Sequence, residues 1–137
     1  MPELSRLPRG SGQPVMVLQG FATTDASTLV LQAYLRLLGY RVRGWRMGVN
    51  TGRISALLPR VITLGTPIAG GRSEAPEPTP IRVPITAIWS RADGIVAWQA
   101  CVDLRSPDVE NIEVGATHIG LGFSPDVNRV IAERLAR

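Results

Sequence analysis

The sequence predicts an α/β protein: a small, mostly parallel sheet of about five strands with helices on its faces. Two observations carry that expectation. Short apolar runs closed by Gly, Pro or Gln alternate with segments of helical spacing or long connections, and strands joined by such crossovers pair in parallel. A length of 137 residues with 45% hydrophobic content also suits one domain with a modest core. Residues 1–137 are therefore read as a single domain.

The first strand is Pro14-Val15-Met16-Val17-Leu18, a continuous apolar run that ends at Gln19-Gly20. A helix follows from Thr24 or Asp25 as N-cap, with an apolar face at Leu31, Tyr34, Leu35 and Leu38 and Gly39 where a left-handed C-terminal residue is wanted. The chain returns through Tyr40 to Trp45 as a second strand. After the turn-rich Gly48-Val49-Asn50-Thr51-Gly52, Ile54 to Leu58 gives about one or two helical turns before Pro59. Val61-Ile62-Thr63-Leu64 is the third strand, stopped by Gly65-Thr66-Pro67.

Residues 70–80, which hold Gly70, Gly71, Pro76, Pro78 and Pro80, read as a semi-rigid surface connection. Val83 to Trp89 forms the fourth strand, with Pro84 confined to its start, and Ser90 to Gly94 makes a turn. Asn111 to Val114 is a short fifth strand. Ser124 caps a last helix that opens with Pro125 and buries Val127, Val130, Ile131 and Leu135.

Composition removes several chemistries. All 15 basic residues are arginine, so Schiff-base catalysis, pyridoxal phosphate attachment and a phosphate-loop lysine have no amine to use. One histidine and one cysteine cannot build a zinc site, and Cys101 has no partner for an intrachain disulfide. Neither a metal nor another cofactor is expected. A net charge of +4 with few aromatics among Arg41, Arg43, Arg46, Arg53 and Arg60 describes a solvated face rather than a nucleic-acid surface. Trp45, Trp89 and Trp98 suit a core or an interface. Met1-Pro2-Glu3-Leu4-Ser5-Arg6 lacks the apolar run of a leader or membrane span, which gives a cytoplasmic expectation.

In a parallel sheet, ligands and reacting groups gather at the carboxyl ends of strands. Those ends carry Gln19-Gly20-Phe21, Gly65-Thr66-Pro67, Arg91-Ala92-Asp93-Gly94 and Gly115-Ala116-Thr117-His118.

Four segments, in order, resemble the α/β-hydrolase family of the lipase and esterase type. They are Pro14 to Phe21; Gly39 to Trp45 with Gly48 to Gly52; Val61 to Pro67; and Ile88-Trp89-Ser90-Arg91-Ala92-Asp93-Gly94-Ile95-Val96 through His118-Ile119-Gly120-Leu121-Gly122. The resemblance covers most of the chain and implies hydrolysis of carboxylic esters. It places candidate catalytic residues at His118, the base, and Asp93, the acid that orients it, and an oxyanion hole at Gly20 and Phe21. Chemically, a hydroxyl needs a base to take its proton, and the imidazole needs a carboxylate to fix its tautomer. Backbone N–H groups stabilise the developing oxyanion.

The chain departs from the family in two places. No Gly-x-Ser-x-Gly nucleophile elbow occurs, although the family pattern puts it between Gly52 and Val61, and the lid between Pro67 and Val83 is reduced to the 70–80 connection. The nucleophile is therefore unassigned, with Thr66, Ser27, Thr51 and Thr24 as candidates and an activated water as the other option. Each of those hydroxyls also suits a cap or turn, and Ser90 suits a local turn contact to the Asp93 loop. Asp93 alone fits ordinary Asp-Gly turn chemistry, and His118 a loop residue bonded to a carbonyl. A short-chain ester is the expected substrate, since little acyl-binding wall remains. A non-catalytic, hydrolase-derived binding module is the alternative. Apolar surface left by the missing blocks implies a homo-oligomer, most simply a dimer.

Overall fold

The computed structural model describes residues 6–17, 25–44, 60–66 and 82–137, and the chain has mixed α/β content with all strand pairs parallel. It divides into two compact units, Met1–Ile54 with Asn128–Arg137 and Ser55–Val127. Among the described residues five strands occur, but not as the one sheet the sequence suggested: they pair as a two-stranded and a three-stranded sheet. Among the described residues, no helix is long and apolar enough to cross a membrane.

In the first unit, β1 (Pro14–Val17) and β2 (Arg41–Gly44) pair in parallel, with Val15 opposite Val42. Parallel pairing requires a crossover. It is supplied by a 3-10 turn, Asp25–Thr28, and helix α1, Leu29–Leu37. The expected N-cap at Thr24 or Asp25 is thus three or four residues early for the α-helix proper, whose N-cap is Thr28, because residues 25–28 close the tighter turn first. Thr24 itself lies outside the described residues.

Leu35 and Leu38 are buried on the predicted apolar face, while Leu31 and Tyr34 are half-buried. Full burial of such a leucine is worth about 1.5–3 kcal/mol. A polar row on the same helix runs from the Thr28 hydroxyl through the Gln32 amide to Arg36, whose guanidinium also donates to the Val42 carbonyl at 3.3 Å. That row ties the helix to the strand it leads into.

Gly39 ends α1 as the sequence predicts. It adopts φ +93, its N–H donates to the Arg36 carbonyl at 3.0 Å, and the Tyr40 N–H donates to the Leu35 carbonyl at 3.1 Å. This is a Schellman closure, which requires a left-handed residue. A Cβ on Gly39 would also lie 2.6 Å from the Gly10 carbonyl oxygen. Gly39→Ala is therefore expected to destabilise the protein by about 1–3 kcal/mol from backbone strain alone, measurable as a lower urea midpoint. An unchanged midpoint would contradict this account of the turn.

The second unit holds β3 (Val61–Leu64), β4 (Ile85–Trp89) and β5 (Val109–Glu113), with β4 central. All five residues of β4 are buried, which explains its near-continuous apolar sequence. Pro84 precedes the strand, where it needs no ladder N–H, and its carbonyl accepts from Val61 N–H at 2.9 Å. The fifth strand starts two residues earlier than the sequence suggested, because Val109 pairs with Ile85 at the start of β4.

Between β4 and β5 lies the one-turn helix α2, Trp98–Cys101, which the sequence reading missed. It has no capping side chain and is too short for helical periodicity to register. Trp98 stacks on Trp89 with ring centroids 5.1 Å apart. The connection into β5 is fixed by Asp103 and Asn111. Their backbone and side-chain groups exchange two hydrogen bonds, at 2.9 and 2.8 Å. Helix α3, Pro125–Leu135, buries Val127 and Ile131, with Val130 and Leu135 half-buried. Trp45, residues 54–58 and the 70–80 connection lie outside the described residues.

Candidate functional site

The carboxyl ends of β3 and β4 and the loop after β5, all in the second unit, bring together Gly65, Asp93 and His118. At the end of β4, Ser90 is 1% exposed and its Oγ accepts from Ala92 N–H at 3.0 Å and Ala116 N–H at 3.3 Å. The first contact is the local turn that the sequence suggested. The second reaches the loop that carries His118, and no sequence pattern pointed to it. A small polar residue closing an otherwise apolar strand was the available signal.

Asp93 follows in that turn, with its N–H on the Ser90 carbonyl at 3.3 Å. Its Oδ1 accepts from the backbone N–H groups of Ile95 at 2.9 Å and Val96 at 2.8 Å. The other oxygen, Oδ2, lies 2.6 Å from His118 Nδ1, and the two side chains are 1% and 32% exposed respectively. Burial disfavours the charged carboxylate. The N–H of Val96, the His118 ring and the N–H of Ile95, with the charge of His118, outweigh it and hold Asp93 below its ordinary range.

An ionised carboxylate only accepts hydrogen bonds, so the hydrogen between the two groups sits on Nδ1. The Nε2 lone pair is then the basic position of the ring. No hydrogen bond from the protein engages it among the described residues. The arrangement can accept a proton at Nε2 while Asp93 stabilises the imidazolium that results.

Gly65 lies against this pair. It adopts φ +54 and its N–H donates to the Ile88 carbonyl at 2.8 Å. Leu121, buried in a 3-10 turn after His118, packs on the same spot. Cys101 is buried nearby, and burial together with the negative charge of Asp93 pushes its thiol upward, which keeps it neutral and unreactive.

The nucleophile candidates divide as follows. Thr66 is exposed and its hydroxyl donates to the Leu64 carbonyl of its own strand at 3.4 Å, with no hydrogen bond to His118. Ser27 falls in the 3-10 turn of the first unit, and its side chain lies outside the described residues. Thr51, Gly20 and Phe21 also lie outside them. Among the described residues, no group of three His, Cys, Asp or Glu side chains converges to hold a metal ion.

The charge state of the site gives a pH expectation. Asp103 is also held below its ordinary range: burial opposes its charge, but the Ser106 hydroxyl, the N–H groups of Arg105 and Ser106, and the Arg105 charge prevail. For both aspartates the folded value lies below the unfolded one. Their stabilisation is thus complete above about pH 4 and is lost as pH falls through the folded values. Urea midpoints should therefore drop steeply below about pH 4, and less so in Asp103→Asn. A midpoint level across that range would contradict the assignment.

Comparison with protein-family models, curated proteins and solved structures returns no match to this chain.

Proposed function

We propose that this protein is a reduced α/β-hydrolase that hydrolyses short carboxylic esters, with His118 as general base and Asp93 orienting it. The observation that carries the reading is the 2.6 Å contact between a buried, ionised Asp93 and Nδ1 of a part-exposed His118 at the carboxyl end of a parallel sheet. The family resemblance of the sequence supports the same two residues.

In the reaction, Nε2 of His118 takes a proton from the attacking oxygen as that oxygen bonds to the ester carbonyl. The imidazolium then returns the proton to the departing alkoxide, and the carbonyl–alkoxide bond breaks. With water as the attacker, acid and alcohol form in one cycle without a covalent intermediate. With a hydroxyl as the attacker, an acyl-enzyme forms first and water repeats the sequence.

Hydrolysis of p-nitrophenyl esters of graded chain length, with fluorophosphonate labelling mapped by peptide mass spectrometry, tests the reading. Turnover favouring short chains is the expected result. A labelled hydroxyl names the nucleophile, and turnover without a label identifies activated water. Absence of turnover in the folded protein would overturn the reading and leave the alternative, a binding module of hydrolase descent. The lack of a Gly-x-Ser-x-Gly elbow is the observation that favours that alternative.

A cytoplasmic homodimer completes the proposal. Exposed Leu29, Val30 and Leu37 in the first unit, and Ile95, Leu104 and Ile119 in the second, support self-association. Sedimentation equilibrium should give twice the chain mass, and monomer mass at all concentrations would argue against it.

A further inference from the structure

We propose that Gly65 is a positioning residue for the Asp93–His118 pair: its missing side chain leaves the space in which the two groups meet. The inference rests on the reading that this pair activates the attacking oxygen. A Cβ on Gly65 would stand 2.9 Å from Asp93 Oδ2 and 3.2 Å from His118 Nδ1, the two atoms that share the 2.6 Å contact. It would also lie 2.8 Å from Leu121 Cδ1.

The neighbours differ in how far they can retreat. Asp93 is held by the N–H groups of Ile95 and Val96, and Leu121 is buried with its own N–H on the Thr117 carbonyl. Gly65 is itself held by its bond to Ile88, on the strand that leads to Asp93. The His118 ring is part-exposed and has room to move outward. A methyl group at Gly65 therefore displaces the imidazole, breaks the Nδ1 contact and releases the ring to the Nε2–H tautomer that a free histidine side chain prefers. That tautomer carries its hydrogen where the base must be empty.

A merely structural role for Gly65, as a left-handed strand end, predicts lost stability and an unchanged ring. Nitrogen-15 NMR separates the two, because His118 is the single histidine and its ring signals are unambiguous in a protein without a histidine tag. The wild type should show the Nδ1–H tautomer, a low-field ring proton and a nuclear Overhauser contact from that ring to the Gly65 α-protons. In G65A the low-field proton should vanish, the Nε2–H form should dominate, and kcat should fall about 10²-fold.

The control is G12A. Gly12 has φ +86 but nothing within 4 Å of a built Cβ, so it carries backbone strain without crowding and should keep the wild-type ring spectrum. A folded G65A with the wild-type His118 spectrum would overturn the proposal. Absence of the Gly65–His118 contact in the wild type would do so without requiring any variant to fold. Asp93→Asn tells the two readings apart. If it shifts the tautomer and G65A does not, only the role of Gly65 fails; if it too leaves the ring unchanged, the pairing of Asp93 with His118 fails as well.

Discussion

Asp93→Asn is expected to lower kcat for ester hydrolysis by about 10²–10⁴-fold while the fold persists. Asparagine has nearly the same shape, and its carbonyl oxygen can keep the N–H groups of Ile95 and Val96 that Oδ1 now accepts. Its amide nitrogen then stands where Oδ2 is, and it offers hydrogens to His118 Nδ1. The ring must answer with a lone pair at Nδ1, which moves its hydrogen to Nε2 and removes the base. KM should change little, because the Asp93 side chain is 1% exposed and acts through the ring rather than on the substrate. Steady-state kinetics with p-nitrophenyl butyrate, beside circular dichroism of the same sample, checks both halves. A folded variant with wild-type kcat would show that Asp93 is only a turn residue.

Ile88→Ala is expected to cost about 2–5 kcal/mol, a large share of the roughly 5–15 kcal/mol that holds a domain folded. Ile88 is 1% exposed in the central strand, opposite Leu64 on one side and Ile112 on the other. Neighbours in both ladders are fixed by backbone hydrogen bonds, so the space left by the lost carbons cannot collapse completely. Ile88→Val should cost only about 0.5–1.5 kcal/mol. Ile119, which is 72% exposed, provides the contrast, and its replacement by Ala should stay within about 0.5 kcal/mol. Urea unfolding of the three variants tests the order. Equal losses at Ile88 and Ile119 would contradict the placement of the core.

Much of this was legible in the residues because local physics dictated it. Gly39 after an amphipathic run can do little but close the helix, and the run from Ile85 to Trp89, apolar except for Thr86, reads as a strand. The 3-10 turn at Asp25–Thr28 was less visible, since Ser and Thr suit a cap and a tight turn alike. Helix α2 offered only four residues, Trp98–Cys101, and no capping side chain. The early start of β5 at Val109 is decided by its partner Ile85, a pairing that no local signal encodes.

The site divides along the same line. Asp93 and His118 were nameable because the chain has one histidine and because the segments around both residues resemble a hydrolase. Their supports were not. Ser90 bridges two loops 26 residues apart, and the importance of Gly65 lies in what surrounds a Cβ it does not have. Contacts of that kind arise only when distant strand ends converge. The same limit left the nucleophile open, with Thr66 bonded to its own strand.

The measurement that bears most directly on the account is the rate of p-nitrophenyl butyrate hydrolysis by the wild type and by His118→Ala at equal concentration, both shown to be folded. The expected result is turnover in the wild type and a fall of about 10²-fold or more in the variant. Equal rates in the two proteins would contradict the central claim, since a chain with one imidazole would then be working without it.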